Sequence, residues 1–227
     1  MDDVRLTRRA SLTGLLGGVL ALAGWKAAAS DAAGGPAAVA SGQVTCVLTP
    51  ELTEGPYYID GEKLRRNITE GKPGAPLTLR LGVVDASTCR PIKGAAVDIW
   101  HADAGGVYSG FGAGSSNRTF MRGLQKTDAN GIATFQTVYP GWYQGRAVHI
   151  HVKVHIGGNV VHTGQLFFND TVTDAVYRRS PYSKRPNRTT RNTADSIYVN
   201  GGSKSLVKIA KRGTGYTGAV TMGVHAA

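Results

Sequence analysis

The sequence is short of three features that would each point to a class of protein. It has two cysteines in 227 residues and no thiolate or thioether ligands at a spacing that suits a blue-copper site. Its apolar stretch near the start, residues 12–25, is too short to span a membrane. After residue 44 no segment keeps a helical apolar period over three turns, and no internal repeat occurs. These absences disfavour blue-copper, membrane-spanning and largely helical proteins.

The first 29 residues have the pattern of a signal peptide. Basic residues, among them the adjacent Arg8 and Arg9, precede the apolar stretch, and residues 27–29 are alanines that a signal peptidase accepts. The arginine pair resembles a bacterial twin-arginine signal, with an ordinary Sec signal as the alternative. No cysteine follows the apolar stretch, which disfavours a lipoprotein anchor. We therefore expect export to the periplasm or the extracellular space.

After this signal peptide we expect a flexible tether rich in alanine and glycine at residues 30–43, and one folded domain at residues 44–227. The formal charge is +11, and much of the basic excess lies between residues 178 and 212. Because export is expected, nucleic acid is not predicted as a partner. A solvated basic face is one interpretation of the stretch, and attraction for anionic aromatic acids or an anionic cell wall is the other.

The two cysteines are Cys46 and Cys89. In an exported protein an even count favours a disulfide, which would tie the start of the folded domain to the loop before Pro91. The disulfide would close a loop of roughly forty residues, for which the chain-entropy model gives about 3–4 kcal/mol of stabilisation. Two free thiols are the alternative.

The pattern of the folded domain is that of an all-β protein. Short β-rich runs alternate with turn residues, such as Gly157-Gly158-Asn159. The runs that we expect to form strands are 77–84, 95–100, 132–138, 148–156, 160–168 and 219–224. Many short strands with glycine-rich turns predict a β-sandwich or barrel with little helix.

Residues 148–154 alternate strictly between apolar and polar side chains, as a strand does. His149 and His151 therefore project side by side from one face, where two imidazole nitrogens can bind a single metal ion. A polar strand face with two exposed histidines is the alternative.

Several separated motifs, in this order, resemble the intradiol ring-cleavage dioxygenases, the family of the catechol and protocatechuate dioxygenases and their exported relatives. The resemblance runs from residue 53 to residue 198 and covers most of the folded domain. The matching motifs are TEGPYY at 53–58, DIWHAD at 98–103, GVY at 106–108, RGLQ at 122–125, PGWYQGRAVHIH at 140–151 and TGQLFF at 163–168.

This resemblance implies a β-sandwich of the immunoglobulin or transthyretin type with short loops, and a ferric ion held by two tyrosines and two histidines. The residues that match the ligand positions are Tyr108, Tyr143, His149 and His151. The residues that match the arginine of the substrate pocket and the glutamine of a nearby strand are Arg146 and Gln165.

The implied reaction is cleavage of a catechol-type diol by O2 between its two hydroxyl carbons, which yields a muconate-type diacid. Fe(III) favours anionic oxygen donors, which phenolates supply, and imidazoles complete the set. The family pattern makes Tyr143 the ligand that substrate displaces and that then takes up a proton, while Tyr108 stays bound. Arg146 can stabilise charge on the activated ring, unless it is a surface cation in a salt bridge.

Two departures from the family pattern leave the oligomeric state open and predict a more exposed pocket. The interval from Tyr143 to His149 is shorter than in the cytoplasmic protocatechuate enzymes, and the helical N-terminal region through which some catechol dioxygenases dimerise has no counterpart. Tyr57 and Tyr58 line the pocket or pack in the core. The histidines that we expect to be structural or exposed are His101, His155 and His162.

Two other functions stay open on the sequence. The same histidines could serve a copper or other metal-dependent oxidase. Alternatively, the domain could be an exported, transthyretin-like binding module with a vestigial metal site. The presence of all four ligand residues in order favours the dioxygenase over both.

Overall fold

The computed structural model describes residues 48–61, 63–111 and 114–226. The predicted signal peptide and tether lie outside these residues and stay predictions. Cys89 is not a free thiol, but Cys46 lies outside the described residues, so the bridge between them also stays a prediction. No helix in the described part of the chain is long and apolar enough to cross a membrane.

Eight strands and two short helices form the described fold. They are β1 (Pro76–Asp85), β2 (Ala96–Trp100), β3 (Arg122–Lys126), β4 (Ile132–Val138), β5 (His149–Ile156), β6 (Asn159–Phe167), α1 (Asp170–Tyr177), α2 (Ser196–Val199), β7 (Lys208–Arg212) and β8 (Gly215–Val224). One sheet has the strand order β4-β1-β8-β7 and the other β3-β2-β5-β6. The prediction of an all-β sandwich with little helix is confirmed.

Strands that are joined by a short turn pair with each other. Strands β5 and β6 pair antiparallel, and Ile156 faces Asn159 across a two-residue turn. Gly157 and Gly158 form that turn with φ values of 60° and 89°, which glycine adopts without the steric cost of a Cβ atom. Strand β1 pairs antiparallel with β4 and parallel with β8, whose register no local turn could have indicated.

The main core lies between the two sheets. Leu79 and Leu81 of β1 and Ile150, Val152 and Val154 of β5 are fully buried members of one apolar cluster. Burying a leucine or isoleucine side chain contributes about 1.5–3 kcal/mol, so this inner layer supplies much of the stability. Because side chains alternate along a strand, His149, His151 and Lys153 project from the opposite, outer face of their sheet.

Two strands, β3 and β7, were not predicted from the sequence. Each lies at the edge of its sheet and is rich in charged residues. Charged side chains on an edge strand discourage pairing with other chains, and they also hide the apolar alternation by which a strand is recognised. Long connections follow β2 and β6, and parts of both cover the outer face of the β3-β2-β5-β6 sheet.

Candidate metal centre

The histidine pair lies on the outer face of β5, yet it is buried. His149 is 3% exposed and His151 is 0% exposed, so the interpretation of a solvent-exposed polar face is wrong. The Nε2 atoms of the two rings lie 3.0 Å apart. His149 Nδ1 donates to the carbonyl oxygen of Ala147 at 2.7 Å, which leaves the lone pair of its Nε2 pointing into the site.

Both imidazoles are in the form that binds metal ions. Burial is the largest cause that lowers the pKa of His149 to about 3 and the pKa of His151 well below its ordinary value. The nearby Arg146 guanidinium lowers both pKa values further. A neutral imidazole keeps a lone pair for a metal, whereas an imidazolium does not.

Tyr143 enters the site from the connection between β4 and β5. Its hydroxyl lies 3.2 Å from His149 Nε2, which accepts the hydrogen bond. Burial raises the pKa of the Tyr143 phenol, and the Arg146 guanidinium opposes that rise because a positive charge favours the phenolate. Tyr143 is therefore a phenol that a stronger positive charge could ionise.

Tyr108 comes from the connection between β2 and β3, and its ring centroid lies 5.5 Å from that of Tyr143 and 6.0 Å from that of His151. Its hydroxyl is buried and makes no hydrogen bond of normal geometry in the described part of the chain, and its polar neighbour is the Tyr143 hydroxyl. Burial, and next the neighbouring Tyr143, raise the pKa of this phenol well above its ordinary value. A buried polar group without a partner costs about 1–3 kcal/mol, so such a group calls for an explanation.

These four side chains fit the ferric ion that the family resemblance implies. The two Nε2 atoms and the Tyr143 hydroxyl converge, and the hydroxyl of Tyr108 lacks the partner that a metal would provide. Among the described residues no group of three or more histidine, cysteine or carboxylate side chains could hold a metal ion. A metal bound here would therefore depend on the phenols, the donors that hard, highly charged ions prefer.

Aromatic rings fix the orientation of the imidazole of His151. The Trp100 ring stacks on it at 4.9 Å with an interplanar angle of 7°, and the Tyr58 ring lies 4.9 Å beyond Trp100. On another side, Gly55 approaches so closely that a Cβ atom there would lie 3.1 Å from His151 Cε1. Gly55 also has φ +71°, so a larger residue would be strained as well as crowded.

Tyr57 lies against the two tyrosines of the site. Its ring stacks on Tyr108 at 4.2 Å and meets Tyr143 edge-on at 6.0 Å. The sequence left open whether Tyr57 and Tyr58 line the pocket or pack in the core, and the structure gives the two residues different places. Tyr57 belongs to the wall of the site, and Tyr58 packs behind it on the Trp100 ring.

Arg146 is anchored from two sides. Its Nε donates to Asp195 Oδ2 at 2.9 Å, and its Nη2 donates to Gln165 Oε1 at 2.5 Å. Gln165 in turn donates to the carbonyl oxygen of Thr53 at 2.8 Å. Arg146 does form a salt bridge, as the alternative interpretation held, but with a carboxylate that is buried beside the site.

Asp195 connects this arginine to the histidine pair. Its side chain is 1% exposed, and Oδ2 also accepts from the backbone N–H of Ala147 at 2.7 Å. The carbonyl oxygen of the same residue, Ala147, receives the Nδ1 proton of His149. Oδ1 of Asp195 accepts from the backbone N–H groups of Ile197 and Tyr198, which caps the start of α2.

Sequence reasoning did not identify the parts played by Asp195 and Trp100. An aspartate before Ser-Ile-Tyr is a recognisable helix cap, but nothing local indicates that it also pairs with Arg146 on another element. Trp100 lies within a matching motif, yet its contact with His151 requires the β2–β5 pairing, which places the two residues opposite each other.

The other histidines have different surroundings. His101 is buried; its Nδ1 donates to the carbonyl oxygen of Ala102 at 2.8 Å, and its Nε2 forms a 2.8 Å hydrogen bond with the Thr137 hydroxyl. His162 is buried and His155 is half-buried, and both lie toward the far end of the β5–β6 hairpin. None of the three makes a hydrogen bond to the four converging side chains among the described contacts.

The Dioxygenase_C family model, described as Dioxygenase, matches residues 53–180. The chain is 38% identical to an intradiol ring-cleavage dioxygenase from Tetranychus urticae, with a TM-score of 0.76 over 79% of this chain and 95% of that one. It is 32% identical to the dioxygenase domain of a carbohydrate-binding fusion protein from Streptomyces sp. SirexAA-E, with a TM-score of 0.62 over 79% and 99%.

Curated relatives are similar over a shorter stretch. Catechol 1,2-dioxygenase 1 of Acinetobacter lwoffii is 33% identical over 101 residues, which are 42% of this chain and 32% of that protein. Chlorocatechol 1,2-dioxygenase of Pseudomonas putida is 27% identical over 136 residues, which are 51% of this chain and 52% of that protein. The chain thus spans a third to a half of the length of these two enzymes.

Proposed function

We propose that this chain, which belongs to the intradiol ring-cleavage dioxygenase family, opens the ring of a catechol-type diol with O2 between the two hydroxyl-bearing carbons. The C–C bond between these carbons breaks, and both oxygen atoms of O2 enter the resulting diacid. The observation that carries the proposal is the convergence of the Tyr143 hydroxyl with two neutral imidazoles beside a buried, unpartnered phenol.

The proposed cofactor is a ferric ion, and the side chains that would hold it are Tyr108, Tyr143, His149 and His151. When bound, it would supply Lewis acidity toward the two adjacent oxygens of the diol. Two phenolates would offset much of its charge, and the pKa values that burial raises in both tyrosines would fall in its presence.

In this proposal Tyr143 is the residue that accepts a proton from the diol. It is half-buried, whereas Tyr108 is buried, so Tyr143 is the phenol that can move toward the pocket. As a phenolate it can accept a proton from a diol hydroxyl at its Oη atom. The nearby Arg146 guanidinium favours the phenolate and so keeps Tyr143 ready for this proton.

Arg146 places a fixed positive charge beside the reacting ring. The hydrogen bonds to Asp195 and Gln165 hold the guanidinium so that it need not reorganise when negative charge develops on the substrate. The rings of Tyr57 and Trp100 complete an aromatic wall that excludes water from one side of the site.

Oxygen uptake tests the proposal directly. Iron-loaded protein should consume O2 with catechol, protocatechuate or hydroxyquinol, and mass spectrometry should find a diacid that contains both atoms of ¹⁸O2. Resorcinol is the matched control, because its hydroxyls are not adjacent and cannot chelate one ion. Failure of iron-loaded protein to turn over any adjacent diol, or equal uptake with resorcinol, would contradict the proposal.

A further inference from the structure

A second concave site lies at the C-terminal end of α1 and in the connection that follows it. Its volume is about 530 Å³, within the range of small-molecule sites. The charged residues in its lining are four arginines and one aspartate: Arg178, Arg185, Arg188, Arg191 and Asp174. We call it the arginine cleft. None of the four residues of the candidate metal centre belongs to its lining.

Two of the arginines are held in place by acids. The Arg188 side chain is 5% exposed, donates to Asp174 Oδ1 at 2.8 Å and makes a short hydrogen bond to Asp170. Arg191 Nη2 lies 3.1 Å from Asp174 Oδ2. These pairs hold the two guanidinium groups in place, and they leave the cleft with two more positive than negative side chains, four arginines against two aspartates.

The other two arginines have hydrogen-bond donors to spare. Arg178 is exposed, and in the described part of the chain its side chain has no carboxylate or hydrogen-bond partner. Arg185 stacks on the Trp142 ring at 4.5 Å and donates through Nη1 to the carbonyl oxygen of Trp142 at 2.8 Å. Its hydrogen bonds to the described residues engage Nη1, and Nη2 packs against Gly106, where a Cβ atom would lie 2.8 Å from it, so Nε is the donor that stays available.

Aromatic surface adjoins these donors. Tyr177 and Tyr182 also line the cleft, and their rings stack on each other at 5.1 Å. Both hydroxyls are turned away to backbone carbonyls, Tyr177 to Pro140 at 2.9 Å and Tyr182 to Tyr139 at 2.6 Å. The half-buried Tyr177 therefore offers its ring, rather than its hydroxyl, to a ligand.

We propose that the arginine cleft binds an aromatic carboxylate, with the carboxylate paired to Arg178 and Arg185 and the ring against Tyr177. The planar guanidinium matches a carboxylate with two parallel hydrogen bonds. A bounded cleft of this volume suits a small molecule better than a polymer chain. The inference stands apart from the proposed function, because the cleft shares no residue with the metal centre. It gives the basic stretch of the sequence a specific ligand.

Calorimetric titration of the iron-loaded protein with benzoate tests this site, since benzoate lacks the adjacent hydroxyls of a diol. The variant is Arg178→Gln, and its matched control is Arg179→Gln. Arg179 is the next residue, equally exposed and equally charged, but outside the lining. Because Arg178→Gln removes a guanidinium that pairs with the carboxylate of benzoate, it should weaken benzoate binding about tenfold. The affinity of Arg179→Gln for benzoate should stay within about twofold of the wild type. Arg185 is not substituted, because it supports the residue that precedes Tyr143.

Four further titrations complete the test. Acetate and inorganic phosphate should bind more weakly than benzoate because they lack a ring, and benzyl alcohol should bind more weakly because it lacks the charge. Benzoate should still bind when catechol saturates the protein without O2. Equal weakening in both arginine variants, equal affinity for phosphate or benzyl alcohol, loss of benzoate binding on adding catechol, or no binding of benzoate would each overturn the proposal.

Discussion

Both faces of β5 are buried around the histidine pair, but the inner face is apolar and the outer face carries polar side chains. On the inner face, Ile150, Val152 and Val154 pack against the apolar side chains of the other sheet. On the outer face, His149 and His151 lie under loops and aromatic rings with exposures of 3% and 0%. Burial therefore does not distinguish the two faces. They differ in whether they contain buried polar atoms that lack a hydrogen-bond partner.

Among the described residues, the buried side-chain atoms without a hydrogen bond include three close to the outer face, which are Tyr108 Oη, His151 Nδ1 and Trp100 Nε1. The apolar inner face has no such atoms to satisfy. Since each unpartnered buried polar group costs about 1–3 kcal/mol, these atoms offset part of the stability that the buried aromatic rings contribute on the outer face. The inner face has no such cost, and the chemistry lies on the outer face alone.

Neighbouring substitutions on this strand should separate the two roles most clearly. His151→Ala should lose most of the bound iron and with it nearly all activity, because three protein ligands would remain, while the fold persists. Ile150→Ala should keep iron but lower the free energy of unfolding by about 2–5 kcal/mol, as cavity-forming core substitutions do. Iron content, turnover and denaturant midpoints of both variants provide the measurement. Full iron retention in His151→Ala would place the metal elsewhere.

Within the outer face, the two tyrosines should differ from each other. Tyr143→Phe should still bind iron through the three other ligands but should slow turnover about 10²–10⁴-fold, the usual effect of losing a general base. Tyrosinate bound to Fe(III) absorbs visible light by charge transfer, so Tyr108→Phe should weaken iron retention and remove most of the colour that persists when substrate is bound. Iron content, visible spectra and diacid formation, measured side by side, test the assignment. Wild-type turnover by Tyr143→Phe would show that its role is wrongly assigned.

Substitution of Asp195, which lies behind the proposed metal ligands, should have a smaller effect on turnover. Asp195→Asn keeps a side-chain oxygen to cap α2 but removes the charge that holds Arg146. Turnover should fall about 10–100-fold, as it does when groups that orient metal ligands are changed. Iron content and thermal midpoint should change little, and Asp195→Glu should recover part of the activity. A loss of stability that accounts for the whole loss of activity would reduce Asp195 to a helix cap.

The smallest expected effect at neutral pH concerns His101, a buried histidine whose two ring nitrogens both have partners. Burial lowers its pKa to about 4. As the pH falls below about 6.5 the unfolded chain takes up this proton first, so the contribution of His101 to stability, full above pH 6.5, declines down to about pH 4. The decline should approach about 1.4 kcal/mol per pH unit in wild type relative to His101→Gln. Urea midpoints at several pH values would show it, and identical profiles would contradict it.

The sequence anticipated the fold and the four converging side chains for different reasons. The run at 77–84 alternates in polarity and the run at 132–138 is rich in β-branched residues, and both became strands within two residues of the expected bounds. The candidate ligands came from the order of the family motifs. The charged strands β3 and β7 escaped notice because an edge strand needs no apolar alternation.

Sequence alone determined that His149 and His151 share one face of a strand and that Ile150 and Val152 share the other. Side-chain direction along a strand depends only on whether a position is odd or even, so no distant residue is needed to know it. Only the tertiary structure decided that the histidine face is buried, that Asp195 holds Arg146, and that four arginines meet in one cleft. Each of these depends on which distant segments of the chain come together, and a local sequence pattern does not specify such long-range contacts.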